Sequence, residues 1–189
     1  WSYTEEESAV LRQTGENPML KGVALPKELK LTSDLVCVKG CGAVVLATPS
    51  FAVRTTVKAA ASLLEPGAVL VSVSKGIEKD TSLTLTDAIE QEVGDAHPIV
   101  ALSGPSHAEE VGRHIPTVVV SASKDRSAAE QVQDLFMNER FRVYASDDVV
   151  GVELGAALKN VIALCAGISD GMGYGDNAKA ALMTRGLTE

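Results

Sequence analysis

The chain has 189 residues and a formal net charge of −8 at neutral pH. Hydrophobic residues make up 46% of the sequence and charged residues 22%, which is typical of one globular domain or slightly more. This acidic balance argues against a nucleic-acid-binding protein, which needs a basic face. We expect no membrane span, because no apolar run approaches the roughly 20 residues that a span requires.

The three cysteines are an odd number and lack the spacing of metal ligands. Their scarcity predicts a reducing compartment, for which the cytoplasm is the default. We therefore expect no metal site. An anionic ligand would need a local positive pocket on this acidic chain.

Most of the chain alternates between helix and strand patterns. In chain order, the patterns predict a helix over 5–13, a loop over 15–30, a strand over 42–48, a helix over 53–64, a strand over 68–74, a helix over 84–93, a strand over 98–102, a short helix from about 107, a strand over 117–122, a helix over 125–137 and a strand over 141–145. The strands are apolar on both faces, which is typical of a parallel sheet built from βαβ units. We therefore predict an α/β fold with a parallel sheet.

The alternation stops near residue 146, and the residues beyond it have a helical pattern. We place a domain boundary there, with residues 1–147 in the α/β part and 148–189 in an all-α part. The first helix after the boundary is apolar on nearly every side, apart from Glu153, Lys159 and Asn160, and such a helix is predicted to be buried. A lysine in its middle must then be buried, paired or part of a site.

A stripe of small residues surrounds that lysine. It consists of Gly151, Gly155, Lys159, Ala163 and Gly167, which share one helix face because residues four apart are neighbours. Such a smooth wall suits either close helix packing, with Lys159 reaching solvent, or the wall of an active site. The stripe alone favours neither interpretation.

Polar residues follow the predicted strands at their carboxyl ends, where open α/β sheets bind ligands. Lys75 follows one strand, and residues 103–107 follow the next. Gly104 permits close backbone approach, and Ser106 begins a helix, so this segment suits an anion cradle, a simple helix start with Ser106 as N-cap, or both at once. If the helix of Lys159 packs over this edge, two ammonium groups meet, and each lowers the pKa of the other toward neutrality.

Four longer stretches of the chain form recognisable motifs: residues 74–78 (SKGIE), 102–110 (LSGPSHAEE), 151–161 (GVELGAALKNV) and 168–186 (ISDGMGYGDNAKAALMTRG). Together they resemble the bacterial NAD(P)-dependent glycerol-3-phosphate dehydrogenases. They follow the order and spacing of that family across essentially the whole chain. The Lys-Asn pair also occurs in related 6-phosphogluconate-type dehydrogenases.

The resemblance implies a Rossmann domain followed by an all-helical domain. It also implies the interconversion of dihydroxyacetone phosphate and sn-glycerol 3-phosphate with NAD or NADP, an entry step to phospholipid synthesis in the cytoplasm. Lys159 would be the general acid/base, with Asn160 placing it. Lys75 would contact both the substrate and the cofactor. Gly104, Ser106 and Lys159 would also contact the substrate. Ala108 would contact the cofactor.

The chain also departs from that family. The GxGxxG turn that holds the cofactor pyrophosphate does not occur in it, nor does the Arg-Asn pair that grips the substrate phosphate. We expect a central fragment that alone binds NADH poorly and has no turnover. Tyr3 and Thr4 supply no cation for a 2′-phosphate, which favours NAD over NADP.

Two alternatives stay open at this point. One is another dehydrogenase of the 6-phosphogluconate type that acts on a hydroxy acid. The other is a non-catalytic nucleotide- or metabolite-binding module. A small phosphate-containing substrate is the predicted partner, and the resemblance leaves a homodimer open.

Overall fold

A computed structural model describes residues 1–188. Its helices are α1 (Glu5–Thr14), α2 (Val53–Ala60), α3 (Leu85–Val93), α4 (Ala108–Gly112), α5 (Arg126–Phe136), α6 (Val149–Gly171) and α7 (Gly175–Thr188). Its strands are β1 (Ala43–Leu46), β2 (Val69–Ser72), β3 (Ile99–Ser103), β4 (Thr117–Ala122) and β5 (Phe141–Ser146). Each predicted strand is present, with ends shifted by a few residues at most.

Short polar side chains begin several of the helices. Each accepts a hydrogen bond from a free backbone N–H of the first turn, which is the reason such residues favour the N-cap position. The pairs are Thr4 with the N–H of Glu7, Thr84 with that of Asp87, Asp125 with that of Ser127, and Asp148 with that of Gly151.

The five strands form one sheet in the order β1-β2-β3-β4-β5. The first three strands are parallel, but β4 runs antiparallel to β3, and β5 is parallel to β4. The prediction of a wholly parallel sheet was therefore wrong between β3 and β4. The segment between them contains only α4, whose five residues span about 7.5 Å. That length is too short for a crossover helix to return along a strand of about 17 Å.

The direction of β4 decides where α6 begins. Ser103 pairs with Val120 and Ala101 with Ala122, so β4 ends at the amino edge of β3. Because β5 is parallel to β4, α6 also starts at that edge, where Val149 packs with Ala101 and Ala122. The helix then runs back across the sheet toward the carboxyl edge of β3.

Two apolar clusters cover the two faces of the sheet. On one face, α5 packs through Ala128 and Val132 against strand residues that include Val71 and Val100. On the other face, α2 and α3 pack against Leu46 and Leu70, among others. Burial on both faces explains why β2 and β3 are nearly continuous apolar runs. The edge strand β5 differs from the prediction, because Val143 is buried and its neighbours Arg142 and Tyr144 are exposed.

The surroundings of α6 differ from the prediction. Only Val149, Glu153 and Ser169 of this helix are buried, and its outer apolar side chains are exposed. Within residues 1–188, the sheet and α7 cover only part of its surface. The apolar composition predicted that partners surround the helix on every side, and the described residues provide them on some sides only.

By length and composition alone, α6 is also apolar enough to cross a membrane. The premise that no apolar run approaches the length of a span was therefore wrong, and the absence of a membrane span stays a prediction. One such helix is a weak indication of a span, since core helices of globular proteins pass the same test. The buried carboxylate of Glu153 hydrogen-bonds Thr86 on α3, which joins α6 to the α/β part of the fold.

Candidate active site

Hydrogen bonds from Lys75 connect the segments that follow the carboxyl ends of β2 and β3. The Lys75 Nζ donates to the carbonyl oxygen of Gly104 at 2.9 Å and lies 3.4 Å from the hydroxyl of Ser106. The same hydroxyl donates to the Gly104 carbonyl at 3.3 Å. The structure thus brings together the two polar segments that the sequence placed at the ends of neighbouring strands.

A cavity of about 310 Å³ opens beside these contacts. One wall comes from the sheet edge and its loops, through Lys75, Ser103 and Gly104, and the facing wall comes from α6, through Gly155 and Lys159. Both lysines therefore face one cavity. Lys159 reaches it because it lies about 15 Å along α6 from Val149, at 1.5 Å per residue.

Burial and the neighbouring ammonium of Lys159 together lower the pKa of Lys75. Partial burial disfavours the charged form, and a second positive charge disfavours it further. The Nζ of Lys159 donates to the amide oxygen of Asn160 at 2.8 Å, which fixes the direction of the ammonium group. The cavity thus has two oriented cations beside a wall of small residues.

Two family models match this chain. The N-terminal model of NAD-dependent glycerol-3-phosphate dehydrogenase matches residues 1–129, and the C-terminal model of the same enzyme matches residues 148–189. The chain belongs to the NAD-dependent glycerol-3-phosphate dehydrogenase family. The resemblance seen in the sequence is therefore confirmed.

Curated relatives and solved structures agree with this membership. Glycerol-3-phosphate dehydrogenase [NAD(P)+] from Bacillus pumilus is 51% identical over 193 residues, and these cover 100% of this chain and 56% of that protein. The Agathobacter rectalis enzyme of the same name is 49% identical over 191 residues, again 100% of this chain and 56% of the relative. The chain therefore spans about half the length of the curated relatives that it matches.

The fold matches that of a solved family member. The glycerol-3-phosphate dehydrogenase of Coxiella burnetii superimposes with a TM-score of 0.90 at 35% identity, over 100% of this chain and 58% of the other. This agreement supports the Rossmann-like α/β fold followed by a helical region. The mixed sheet is thus the arrangement that this chain shares with a solved structure of the family.

The start of α4 differs from the prediction. The N-cap position is His107, which makes no side-chain capping bond, and Ser106 lies one residue earlier with its hydroxyl on Gly104. The predicted capping role of Ser106 was wrong. Ala108 is the first residue of α4, and a helix of five residues aligns few peptide dipoles. The helix field therefore adds little to the anion cradle that the sequence predicted.

An ion-pair cluster holds the loop after Lys75 in place. The guanidinium of Arg54 on α2 donates twice to the Glu78 carboxylate, at 2.7 Å for each bond, and once to Glu92 on α3 at 2.8 Å. These bonds hold the pKa of Glu78 at about 2, chiefly through the hydrogen bonds from Arg54. The cluster ties the loop that carries Lys75 to two helices.

Replacing Arg54 with methionine is expected to lower the melting temperature at pH 7. The melting temperature of this variant should also fall less steeply as the pH is lowered below 4.5. The ordinary pKa of Glu78 is 4.5 and its folded value is about 2. Between these values the unfolded chain takes up a proton that the folded chain does not, so stability falls as pH falls. Without Arg54 the folded pKa returns toward its ordinary value, and this contribution to the slope disappears.

The measurement is thermal unfolding followed by circular dichroism at pH 7 and in steps between pH 4.5 and pH 2. Arg126→Met is the matched control, because Arg126 pairs with Glu130 on the exposed surface of one helix. It should change the melting temperature little. Equal acid slopes for the parent chain and Arg54→Met would contradict the assignment.

A buried carboxylate joins α6 to α3. Glu153 is 6% exposed and accepts from the backbone N–H of Thr86 at 3.1 Å and from the Thr86 hydroxyl. These bonds satisfy a free N–H in the first turn of α3. Because Glu153 and Lys159 lie on the same helix, this contact limits the rotation of α6 and so keeps the ammonium at the cavity.

Sequence reasoning placed Ser103 within the candidate anion cradle without an individual role, and it assigned no role to Arg54 or Glu153. A glutamate inside an apolar helix was a usable signal, since such a residue needs a partner when buried. The partners of Arg54 lie 24 and 38 residues away, and no local pattern indicates them. Ser103 was visible as the residue that follows the predicted strand 98–102, but its orientation depends on the register of β3, which includes it.

Proposed function

We propose that this chain is part of an enzyme that interconverts dihydroxyacetone phosphate and sn-glycerol 3-phosphate with NAD or NADP. The observation that carries the proposal is the pair of lysines, Lys75 and Lys159, in one cavity at the carboxyl edge of β2 and β3. Membership of the glycerol-3-phosphate dehydrogenase family supports it. Residues 1–147 would then belong to the nucleotide-binding domain, and 148–189 would begin the substrate domain.

The roles of the cavity residues follow from their charges. When bound, the reduced nicotinamide supplies the hydride that reaches the ketone carbon. The ammonium of Lys159 donates a proton to the ketone oxygen, so that the alcohol forms without a free oxyanion. Asn160 keeps the Lys159 Nζ oriented through the bond to its amide oxygen. Lys75 offsets the negative charge that develops on the substrate.

The substrate phosphate takes no part in bond making. Its binding orients the ketone toward Lys159, and such positioning supplies much of the rate in reactions of this kind. The carbonyl of Gly104, which lines the cavity, and the hydroxyl of Ser106, which lies just outside its lining, hold Lys75 in place. Two cations in a chain of net charge −8 form the local positive pocket that an anionic substrate requires.

The residues present fit the nicotinamide end of the cofactor better than its pyrophosphate. Lys75 and Ala108 lie at the carboxyl edge of the sheet, where dinucleotides bind in such folds. At the 2′ position we propose NAD rather than NADP. Tyr3 is largely exposed and neutral, and Thr4 is engaged in capping α1 with three glutamates following. A role in phospholipid synthesis and a cytoplasmic location complete the proposal.

The test uses a full-length chimaera, in which this chain replaces the matching segment of the Bacillus pumilus relative. The loss of NADH absorbance is followed with dihydroxyacetone phosphate as substrate, and then with NADPH in place of NADH. We expect turnover of dihydroxyacetone phosphate and a lower KM for NADH than for NADPH. The isolated chain of 189 residues is the comparison, and we expect weak NADH binding and no turnover from it.

Other outcomes separate the alternatives. A cooperatively folding chimaera that reduces a keto acid and leaves dihydroxyacetone phosphate unchanged would favour the hydroxy-acid dehydrogenase. Binding of NADH without turnover of either substrate would favour the non-catalytic module. Activity of the isolated chain near that of the chimaera would contradict the expectation that residues outside it are needed for cofactor and phosphate binding.

A further inference from the structure

One hydroxyl in the cavity has no assigned role. Ser103 is only 6% exposed, and within residues 1–188 its Oγ has no hydrogen-bond partner. The residue lines the cavity that contains Lys75 and Lys159. Buried hydroxyl groups are normally hydrogen-bonded, so an unpartnered one at a cavity wall points to a polar ligand atom.

The register of β3 directs this hydroxyl toward α6. Side chains alternate between the faces of a strand, and Val100 and Leu102 belong to the core on the α5 side. Ala101 packs with Val149 of α6 on the opposite face. Ser103 shares that face with Ala101 and therefore points toward the wall that α6 contributes.

The chemistry of the hydroxyl differs from that of the two lysines. An ammonium group only donates hydrogen bonds, which suits a carbonyl or phosphate oxygen. A serine hydroxyl both donates and accepts, is neutral, and so complements another hydroxyl. Dihydroxyacetone phosphate has one hydroxyl, on C1, next to the ketone that Lys159 would protonate.

We propose that the Ser103 hydroxyl hydrogen-bonds the C1 hydroxyl of the substrate and selects for it. This inference rests on the proposed function and adds a specificity-determining residue to it. The hydroxyl makes no bond in the chemical step. Its contribution is to binding and orientation, so it should distinguish substrates that carry the C1 hydroxyl from those that lack it.

The test compares two substrates in the full-length chimaera. Dihydroxyacetone phosphate carries the C1 hydroxyl, and hydroxyacetone phosphate has a methyl group there. The unsubstituted chimaera should prefer the former in kcat/KM by roughly tenfold or more, the range of one buried hydrogen bond. Ser103→Ala should lower kcat/KM for dihydroxyacetone phosphate by about the same factor and change that for the analogue less than about twofold.

Ser72 provides a matched control. It lies on the neighbouring strand and is 2% exposed, its hydroxyl also lacks a partner within residues 1–188, and it is not among the residues that line this cavity. Ser72→Ala should leave the substrate preference and the KM for NADH unchanged. If Ser103→Ala does not fold, Ser103→Cys keeps the side-chain size with a weak donor, and its preference should fall in the same direction.

The outcomes separate this inference from the proposed function. An unsubstituted chimaera that folds and does not reduce dihydroxyacetone phosphate overturns both. Turnover of dihydroxyacetone phosphate supports the function, and a substrate preference that survives Ser103→Ala then overturns the role of Ser103 alone. An equal loss of preference in Ser72→Ala would also overturn it, because the effect would then come from the sheet and not from the cavity.

Discussion

Lys159→Ala in the full-length chimaera is expected to lower kcat by roughly 10²- to 10⁴-fold, the range for loss of a positioned general acid. The KM for dihydroxyacetone phosphate should change far less. The substitution removes the ammonium group and leaves Lys75, Ser103 and Gly104 at the other wall of the cavity. Substrate binding to that wall persists, and proton delivery to the ketone oxygen is lost.

A second readout comes from the coupling of the two lysines. The ammonium of Lys159 contributes to the lowered pKa of Lys75, so its removal should raise that pKa. The pH dependence of kcat/KM should therefore move as well as the rate. Steady-state kinetics between pH 6 and pH 10, in steps of about half a pH unit, would measure both the loss of rate and the shift in the pH dependence of kcat/KM.

The control for this variant is another exposed lysine. Lys58 lies in the last turn of α2 and is not among the residues that line the cavity. Lys58→Ala should leave kcat unchanged. Partial rescue of Lys159→Ala by an added small primary amine would identify the missing group as the acid. A kcat for Lys159→Ala within about twofold of the parent would remove Lys159 from the mechanism.

Gly104→Ala is expected to have the largest effect on stability. A Cβ at this position would lie 2.8 Å from the carbonyl oxygen of Val118 and 2.8 Å from the Cα of Val119. Both atoms belong to the backbone of β4, which cannot rotate aside as a side chain can. Overpacking of this kind typically costs about 1–3 kcal/mol. At roughly 2–4 °C per kcal/mol for a chain of this size, the melting temperature should fall by about 2–12 °C.

The same substitution should also disturb the cavity. The Gly104 carbonyl accepts from the Nζ of Lys75 at 2.9 Å, so a shift of this residue moves the lysine. Thermal unfolding of the 189-residue chain gives the stability effect, and kinetics of the chimaera give the effect on the KM for dihydroxyacetone phosphate. The matched control is Gly42→Ala, where a Cβ would meet nothing within 4 Å. Equal melting temperatures for both variants would contradict the close approach of β4.

The sequence predicted the elements well because each strand is a buried apolar run and several helices begin at capping residues such as Thr84 and Asp125. It did not predict the direction of β4. Direction depends on whether the connecting segment can cross the sheet, and α4 proved to have only five residues. The burial of α6 also depends on what packs around it, which apolar composition does not reveal.

The site could be predicted in part for a similar reason. Lys75 follows a strand, and Lys159 interrupts an apolar helix, so both were visible as exceptions to a simple pattern. The groups that support them were not visible. Arg54 reaches Glu78 across 24 positions, and Glu153 reaches Thr86 across 67. Contacts over such separations arise from the packing of helices, and the periodicity of a short segment does not predict them.

Because β4 runs antiparallel to β3, the length of α6 before Lys159 determines where this lysine lies along the sheet. The helix starts at the amino edge of β3, so the number of residues between Asp148 and Lys159 sets how far across the sheet the lysine lies. Each residue also turns the helix by about 100°, so the same number sets the direction in which the ammonium group faces. One added residue in this stretch would swing the amine away from the cavity while leaving every strand intact. The position of the Lys159 ammonium at the cavity therefore depends on the number of residues between Asp148 and Lys159.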